Sequence, residues 1–272
     1  MAAEPPVGTA ATPEPPVGTA ATPEPPVTAP DGPRLDRWSL VRGLGELLVT
    51  LGCVLLLFAV YELFWTNVTA DRHESALRRG LEHSFGQGVS GAEGAGGPTG
   101  PASSGPSAGP VSLTVKRGQP FAIMYIPALG RHWARAVVEG VALSDLKGTV
   151  GHYPKTQLPG EVGNFAVAGH RATNGQPLAN IPRVTVGSYV YVRTVQAWYV
   201  YRVTSHRIVA PDDLSVLLPV PDRPGVTPTV ARLTITTCNP RWASFQRWIV
   251  FGTLVSTRPA DQGPPPGLDV TG

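Results

Sequence analysis

Ala231-Arg-Leu-Thr-Ile-Thr-Thr-Cys238-Asn-Pro240 is the stretch that decides how this chain is read. Its first residues alternate apolar and polar side chains and are rich in β-branched types, the pattern of a half-buried strand. Asn239-Pro240 stops that strand, because proline has no N–H for a sheet ladder. Cys238 is therefore at a strand end, where a thiol is exposed. A second apolar-alternating run opens near Arg247, after the loop Asn239–Gln246. If the two runs pair as a hairpin, Arg247 lies beside Cys238 although nine residues separate them.

Further strands are expected at Phe121–Ile126, Arg135–Glu139, Asn164–Ala168, Ser188–Thr194, Trp198–Ile208 and Trp248–Ser256, with the Cys238 strand starting at Thr229. Pro127, Gly140, Pro159-Gly160, Asn174-Gly175 and Pro224-Gly225 punctuate them as turns. Short helical turns are expected at Ala142–Leu146 and Asp212–Leu217, the second capped by Asp212 or Asp213. Seven or eight strands with almost no helix make one small all-β barrel.

Outside residues 114–259 the chain cannot build a core. Residues 1–33 repeat Glu-Pro-Pro-Val-Gly-Thr-Ala-Ala-Thr-Pro from Glu4 and again from Glu14, with a third copy fading after Val27. Such a Pro/Ala-rich tail is expected to be disordered. A basic flank, 34–43, carries Arg34, Arg37 and Arg42. Residues 44–66 are apolar, and a helix over Leu44–Trp65 spans about 33 Å, close to a bilayer's hydrocarbon thickness. Glu46 and Glu62 lie near its ends, and Tyr61, Phe64 and Trp65 form an aromatic belt. A buried core helix and a cleavable signal peptide with a site at Val68-Thr69-Ala70 are the alternatives. Residues 67–113 read as a juxtamembrane segment, with a polar helix over 67–85 and a Gly/Ser/Pro-rich linker over 86–109. Residues 260–272 are expected to be a disordered tail. Positive charge before the span puts the N-terminus in the cytoplasm and the barrel outside the membrane.

The net charge of +3 comes without a dense run of Lys or Arg, so nucleic acid is not the expected partner. Two cysteines make neither a disulfide scaffold nor a zinc site, and no metal or cofactor is expected. With Cys53 inside the span, Cys238 has no partner on the oxidising side of the membrane. It is either a half-buried structural cysteine or a working nucleophile. A working thiol needs a base or a cation beside it. Of six histidines, His170 follows an apolar strand and Gly169, at another strand end. His152, beside Tyr153, is the second candidate, with a structural histidine as its plainer reading. Arg247 and Arg241 are the candidate cations, and Arg241 is the less constrained.

Together these motifs resemble the sortase family. Leu233-Thr-Ile-Thr-Thr-Cys238 followed by Arg247 is similar to the cysteine signature, and Asn164-Phe-Ala-Val-Ala-Gly-His170-Arg to the histidine motif. Gly151-His-Tyr-Pro and the apolar anchor resemble the class E branch. The resemblance implies an eight-stranded sortase-type barrel with short helices, preceded by one transmembrane helix. It implies a Cys238–His170–Arg247 site that cleaves a Leu-Ala-x-Thr-Gly or Leu-Pro-x-Thr-Gly sorting signal of a secreted protein between Thr and Gly. A thioester then passes to an amine of a lipid II-like cell-wall precursor. Asn174, where class E chains often carry Tyr, joins Thr237 and Ala168 as the expected substrate contacts, with His152 and Tyr153 as accessory residues. A hydrolytic cysteine peptidase and a non-enzymatic membrane adaptor with an idle cysteine are the competing readings.

Overall fold

The computed structural model describes residues 37–90 and 115–270. They fall in two compact units divided between Cys53 and Val54. The Pro-rich tail and the linker after Ser90 lie outside the described residues. Helix α1 runs Arg37–Ser90. Within it, Arg37–Tyr61 is long and apolar enough to cross a membrane, with a mean hydropathy of 2.3 and its side chains exposed among the described residues. Glu46 in that stretch accepts a hydrogen bond from Arg42 Nε at 3.0 Å, so neither charge is isolated there.

Eight strands form a closed barrel. They are β1 (Pro120–Tyr125), β2 (Ala134–Glu139), β3 (Val150–His152), β4 (Gly163–Ala168), β5 (Tyr189–Arg193), β6 (Ala197–Val209), β7 (Ala231–Asn239) and β8 (Gln246–Pro259). Around the barrel the order is β1-β2-β3-β4-β7-β8-β6-β5. Closure leaves no free sheet edge. Pairing is antiparallel except for β2 with β3 and β4 with β7. Inward side chains such as Phe165, Val167, Leu233, Ile235, Tyr201 and Val250 fill the interior.

Strand β3 is too short to show alternation, and no strand is expected there from the sequence. Packing explains it: a Cβ on Gly151 would meet the Gly140 carbonyl oxygen at 2.2 Å, so glycine is what allows these two segments to touch. The helical turn expected at Ala142–Leu146 is a single turn closed by Leu146 N–H on Ala142 O (3.2 Å) and does not extend into a helix. The second lies at Leu214–Leu217, and of the two expected caps it is Asp213 that accepts from Ser215 N–H, at 3.1 Å.

Two segments placed outside the barrel domain from sequence are packed on it. Leu81 and Phe85 of α1 are buried against Tyr191, Trp198 and Val200, with the Arg193 guanidinium 5.0 Å over the Phe85 ring. Buried Glu74 accepts from Ala136 N–H at 3.2 Å. Ala70 is buried as well, and its carbonyl sits so close to Gly148 that a Cβ there would meet it at 2.4 Å. Apolar positions 77, 81 and 85, spaced for one helix face, are what the charged residues around them hide from a reading of composition. At the other end, the tail expected to be disordered forms a short helical turn at Ala260–Gln262. It then buries Leu268 and pairs Asp269 with Arg131 at 2.8 Å.

Candidate active site

The parallel pairing of β4 with β7 aligns Ala168 with Thr236, so both strands leave the barrel at the same end. Two residues beyond this pair stand Cys238, still in β7, and His170, just past the end of β4. The antiparallel pairing of β7 with β8 sets Cys238 opposite Arg247, as the hairpin argument expects. Three neighbouring strands thus deliver the thiol, the imidazole and a guanidinium to one end of the barrel.

Local bonds fix the first two. Gly169 N–H donates to Thr236 O at 3.2 Å, and the Thr237 hydroxyl donates to Gly169 O at 2.7 Å. The His170 carbonyl accepts from Leu178 N–H at 3.0 Å. A Cβ on Gly169 would meet Leu178 Cδ1 at 2.9 Å, so the backbone before His170 lies directly on that leucine. The His170 ring is partly buried, and its Nε2 has no hydrogen-bond partner among the described residues. Burial alone pushes its pKa below the usual histidine value, which favours a neutral imidazole able to accept a proton. Cys238 is a free, half-buried thiol.

Arg247 Nη1 donates to Ser244 O (2.6 Å) and Gln246 O (2.9 Å), within the loop that joins β7 to β8. Both acceptors are neutral carbonyls, Ser244 in the loop and Gln246 at the first residue of β8. Arg241 is in that loop too, donating to Gln176 Oε1 at 2.6 Å.

The remaining expected residues spread out. His152 sits on β3 with 2% exposure, its Nδ1 2.5 Å from Glu139 Oε2 and its Nε2 shared between Thr156 Oγ1 (2.9 Å) and Gln157 O (3.1 Å). Its ring stacks on Phe165 at 5.4 Å. Both nitrogens are occupied, which leaves it no part in proton transfer with Cys238 in this arrangement. Tyr153 comes closer: its hydroxyl shares a 2.9 Å hydrogen bond with Thr236 Oγ1. The Thr237 hydroxyl, expected to face substrate, is instead buried and bonded to Gly169 O. Ala168 is buried beside Thr236. Asn174 has a positive φ of 51° and lines a cleft of about 410 Å³ with Thr69, His73, Ser144 and Lys147. A second cleft, of about 380 Å³, lies against β6, β7 and β8 and includes His206, Arg207, Arg223, Arg232 and Phe251.

One residue of the site was not singled out from the sequence. Arg171 follows His170, is 8% exposed, and donates from Nη1 to Cys238 O (3.2 Å) and Asn239 Oδ1 (2.8 Å). Its position directly after the histidine was the available signal.

Residues 124–255 match the family described as Sortase domain. The chain is 34% identical over 235 residues to sortase SrtE1 of Streptomyces coelicolor, a match that covers 84% of this chain and 60% of that protein. It spans, therefore, less than two thirds of that relative's length. It is 33% identical over 228 residues to sortase SrtE2 of the same organism, covering 80% of this chain and 83% of the relative. A crystal structure of S. coelicolor sortase E1 with a tripeptide in its active site aligns with a TM-score of 0.53 and 35% identity, over 57% of this chain and all of that one. The closed barrel, the strand register that gathers Cys238, His170 and Arg247, and these relatives agree, and the chain belongs to the sortase family of cysteine transpeptidases, in its class E branch.

Proposed function

We propose that this chain is a membrane-anchored sortase that cleaves a Leu-Ala-x-Thr-Gly-like or Leu-Pro-x-Thr-Gly-like signal between Thr and Gly and passes the acyl group to an amine. The register that sets Cys238 opposite Arg247 and two residues beyond the Ala168–Thr236 pair supports this most directly. The Cys238 thiol gives its proton to His170, and the sulfur attacks the Thr carbonyl. Arg247 turns from Ser244 O and Gln246 O to hold the oxyanion. His170 then protonates the departing Gly amine, and the C–N bond breaks to leave a thioester. An acceptor amine of a cell-wall precursor attacks that thioester and gives its proton to His170; the C–S bond breaks to release the Cys238 thiolate, to which His170 returns the proton.

Ala168, Thr237 and Asn174 belong to the substrate-facing end of the barrel in this reading. Thr237 acts there through Gly169. Asn174 stands where class E chains often carry Tyr, so the preferred residue after Leu differs from that of Tyr-bearing relatives. The solved relative with a bound tripeptide supports a peptide substrate. Residues 44–66 anchor the chain, with 1–33 in the cytoplasm and the barrel outside.

The test is Cys238→Ala assayed with a small panel of signal peptides and triglycine. Cleavage should fall below detection, and the wild type should give transfer product. Normal cleavage by C238A would sink the reading, and cleavage without transfer would make the enzyme a hydrolase.

A further inference from the structure

A guanidinium buried to the degree of Arg171 is expensive unless its charge is answered. Its partners are all neutral. Nη1 donates to the Cys238 carbonyl and to Asn239 Oδ1, and the guanidinium lies 5.6 Å over the Trp248 ring. Trp248 pairs with Thr237 across β7 and β8, and its own ring stacks on His206 at 5.4 Å. Among the described residues no carboxylate is in ion-pair range of Arg171, and its Nε is buried without a hydrogen-bond partner. Arg171 is therefore built into the Cys238 end of β7 as a cation without a counter-ion.

The chemistry of the site supplies one. When Cys238 loses its proton, a negative sulfur forms on the residue whose carbonyl Arg171 already holds. Burial pushes the Arg171 pKa below its ordinary value, the nearby Arg241 charge adds to this, and the ionised Cys238 opposes both. Arg247 is held differently, by the neutral carbonyls of Ser244 and Gln246 and not by Cys238.

We propose that Arg171 is a positioning residue for the transfer reaction: it pins the Cys238 end of β7 through the Cys238 carbonyl and Asn239, and it holds positive charge at that strand end. Arg247 then serves the oxyanion, and the two cations have separate tasks. This rests on Cys238 being the nucleophile.

The experiment measures alkylation of Cys238 by iodoacetamide at pH 7 in the full chain in detergent, without substrate. Peptides containing Cys238 and Cys53 are quantified separately by mass spectrometry, Cys53 serving as the internal reference. Arg171→Gln should slow labelling of Cys238 about tenfold, the low end of what a close opposite charge does to an ionisation, and leave Cys53 unchanged. Arg171→Lys, which keeps the charge but loses the fork, should recover to within about threefold of wild type. Arg247→Gln should label within about twofold of wild type while peptide cleavage falls, since its task begins only with substrate. In cleavage assays R171Q should lower kcat about tenfold with KM within about twofold. A purely structural role predicts the opposite sign, because a loosened β7 end exposes the sulfur and labels faster. Labelling of R171Q at or above the wild-type rate overturns the proposal, as does R171K labelling as slowly as R171Q. Arg171→Met, whose apolar stem suits a buried site against Trp248, supplies a second neutral variant should R171Q not hold its fold. If C238A still cleaves, the nucleophile assignment fails. If C238A is inactive and R171M labels like wild type, only the role of Arg171 fails.

Discussion

Gly169 and His170 show how little slack the site has. Leu178 packs against the backbone before the imidazole so closely that a methyl group at position 169 would overlap it. Leu178 also holds the His170 carbonyl through its N–H, so moving the leucine moves the histidine. Gly169→Ala should cost about 1–3 kcal/mol by overpacking, read as a lower urea midpoint, and should reduce kcat more than it changes KM. The imidazole itself gives a prediction with a definite sign. Burial holds the folded pKa of His170 below its unfolded value, so the unfolded chain binds the extra proton first. Above about pH 6.5 the histidine is neutral in both states and adds no pH dependence. As pH falls through that value toward the folded pKa, stability is lost progressively, and below the folded pKa the loss is constant. His170→Gln should therefore lose less stability between pH 7 and pH 5 than wild type does, as measured by urea unfolding at each pH. An equal or greater loss in H170Q would contradict the assignment of burial as the cause.

At the scale of elements, the parallel β4–β7 pair carries the site, and Asn164 ties it to the loop that follows β6. Its Nδ2 donates to Val216 O and Leu218 O, each at 3.0 Å, and its Oδ1 accepts from the Thr234 hydroxyl at 2.8 Å. Asn164 is fully buried, so Asn164→Ala leaves those partners unsatisfied and should cost about 2–4 kcal/mol by thermal or urea unfolding. In the sequence Asn164 reads only as the start of a strand. Long-range hydrogen bonds from a buried amide leave no periodic trace. The strands themselves were legible because alternation and β-branched residues mark β4, β7 and β8 directly, and the Cys238–Arg247 register follows from the hairpin. The three-residue β3 was not, because it is held by glycine contact with Gly140 and not by side-chain pattern. His152 was ambiguous for a related reason: a histidine buried against Glu139 and one poised for proton transfer have the same neighbours in sequence. Segment 67–85 was read as polar because its buried side chains are few. Phe85→Ala should nevertheless destabilise the barrel by about 3–5 kcal/mol, since it removes the aromatic surface over Trp198 and under Arg193.

At the scale of the whole molecule, the two free thiols report on topology. Cys53 lies in the apolar stretch Arg37–Tyr61, and Cys238 lies in the barrel. Arg34 precedes that stretch and Arg37 and Arg42 lie in its first turns, and positive charge at that end favours a cytoplasmic N-terminus. The segment after it mixes signs, with Asp71, Glu74 and Glu82 beside Arg72, Arg78 and Arg79, so it offers no competing positive bias. In the proposed topology the barrel folds outside, on the side of the proposed sorting signals and cell-wall amines. A membrane-impermeant maleimide applied to intact cells should label Cys238 without lysis, and Cys238→Ser should remove that labelling. Cys53 should stay unlabelled until detergent opens the membrane, since a charged reagent does not enter the hydrocarbon. Replacing the three arginines with glutamate should reduce Cys238 labelling in intact cells, because the determinant that keeps the N-terminus inside is gone. Labelling of Cys238 only after lysis would place the barrel in the cytoplasm and remove it from its proposed substrates, whatever its activity in a purified assay.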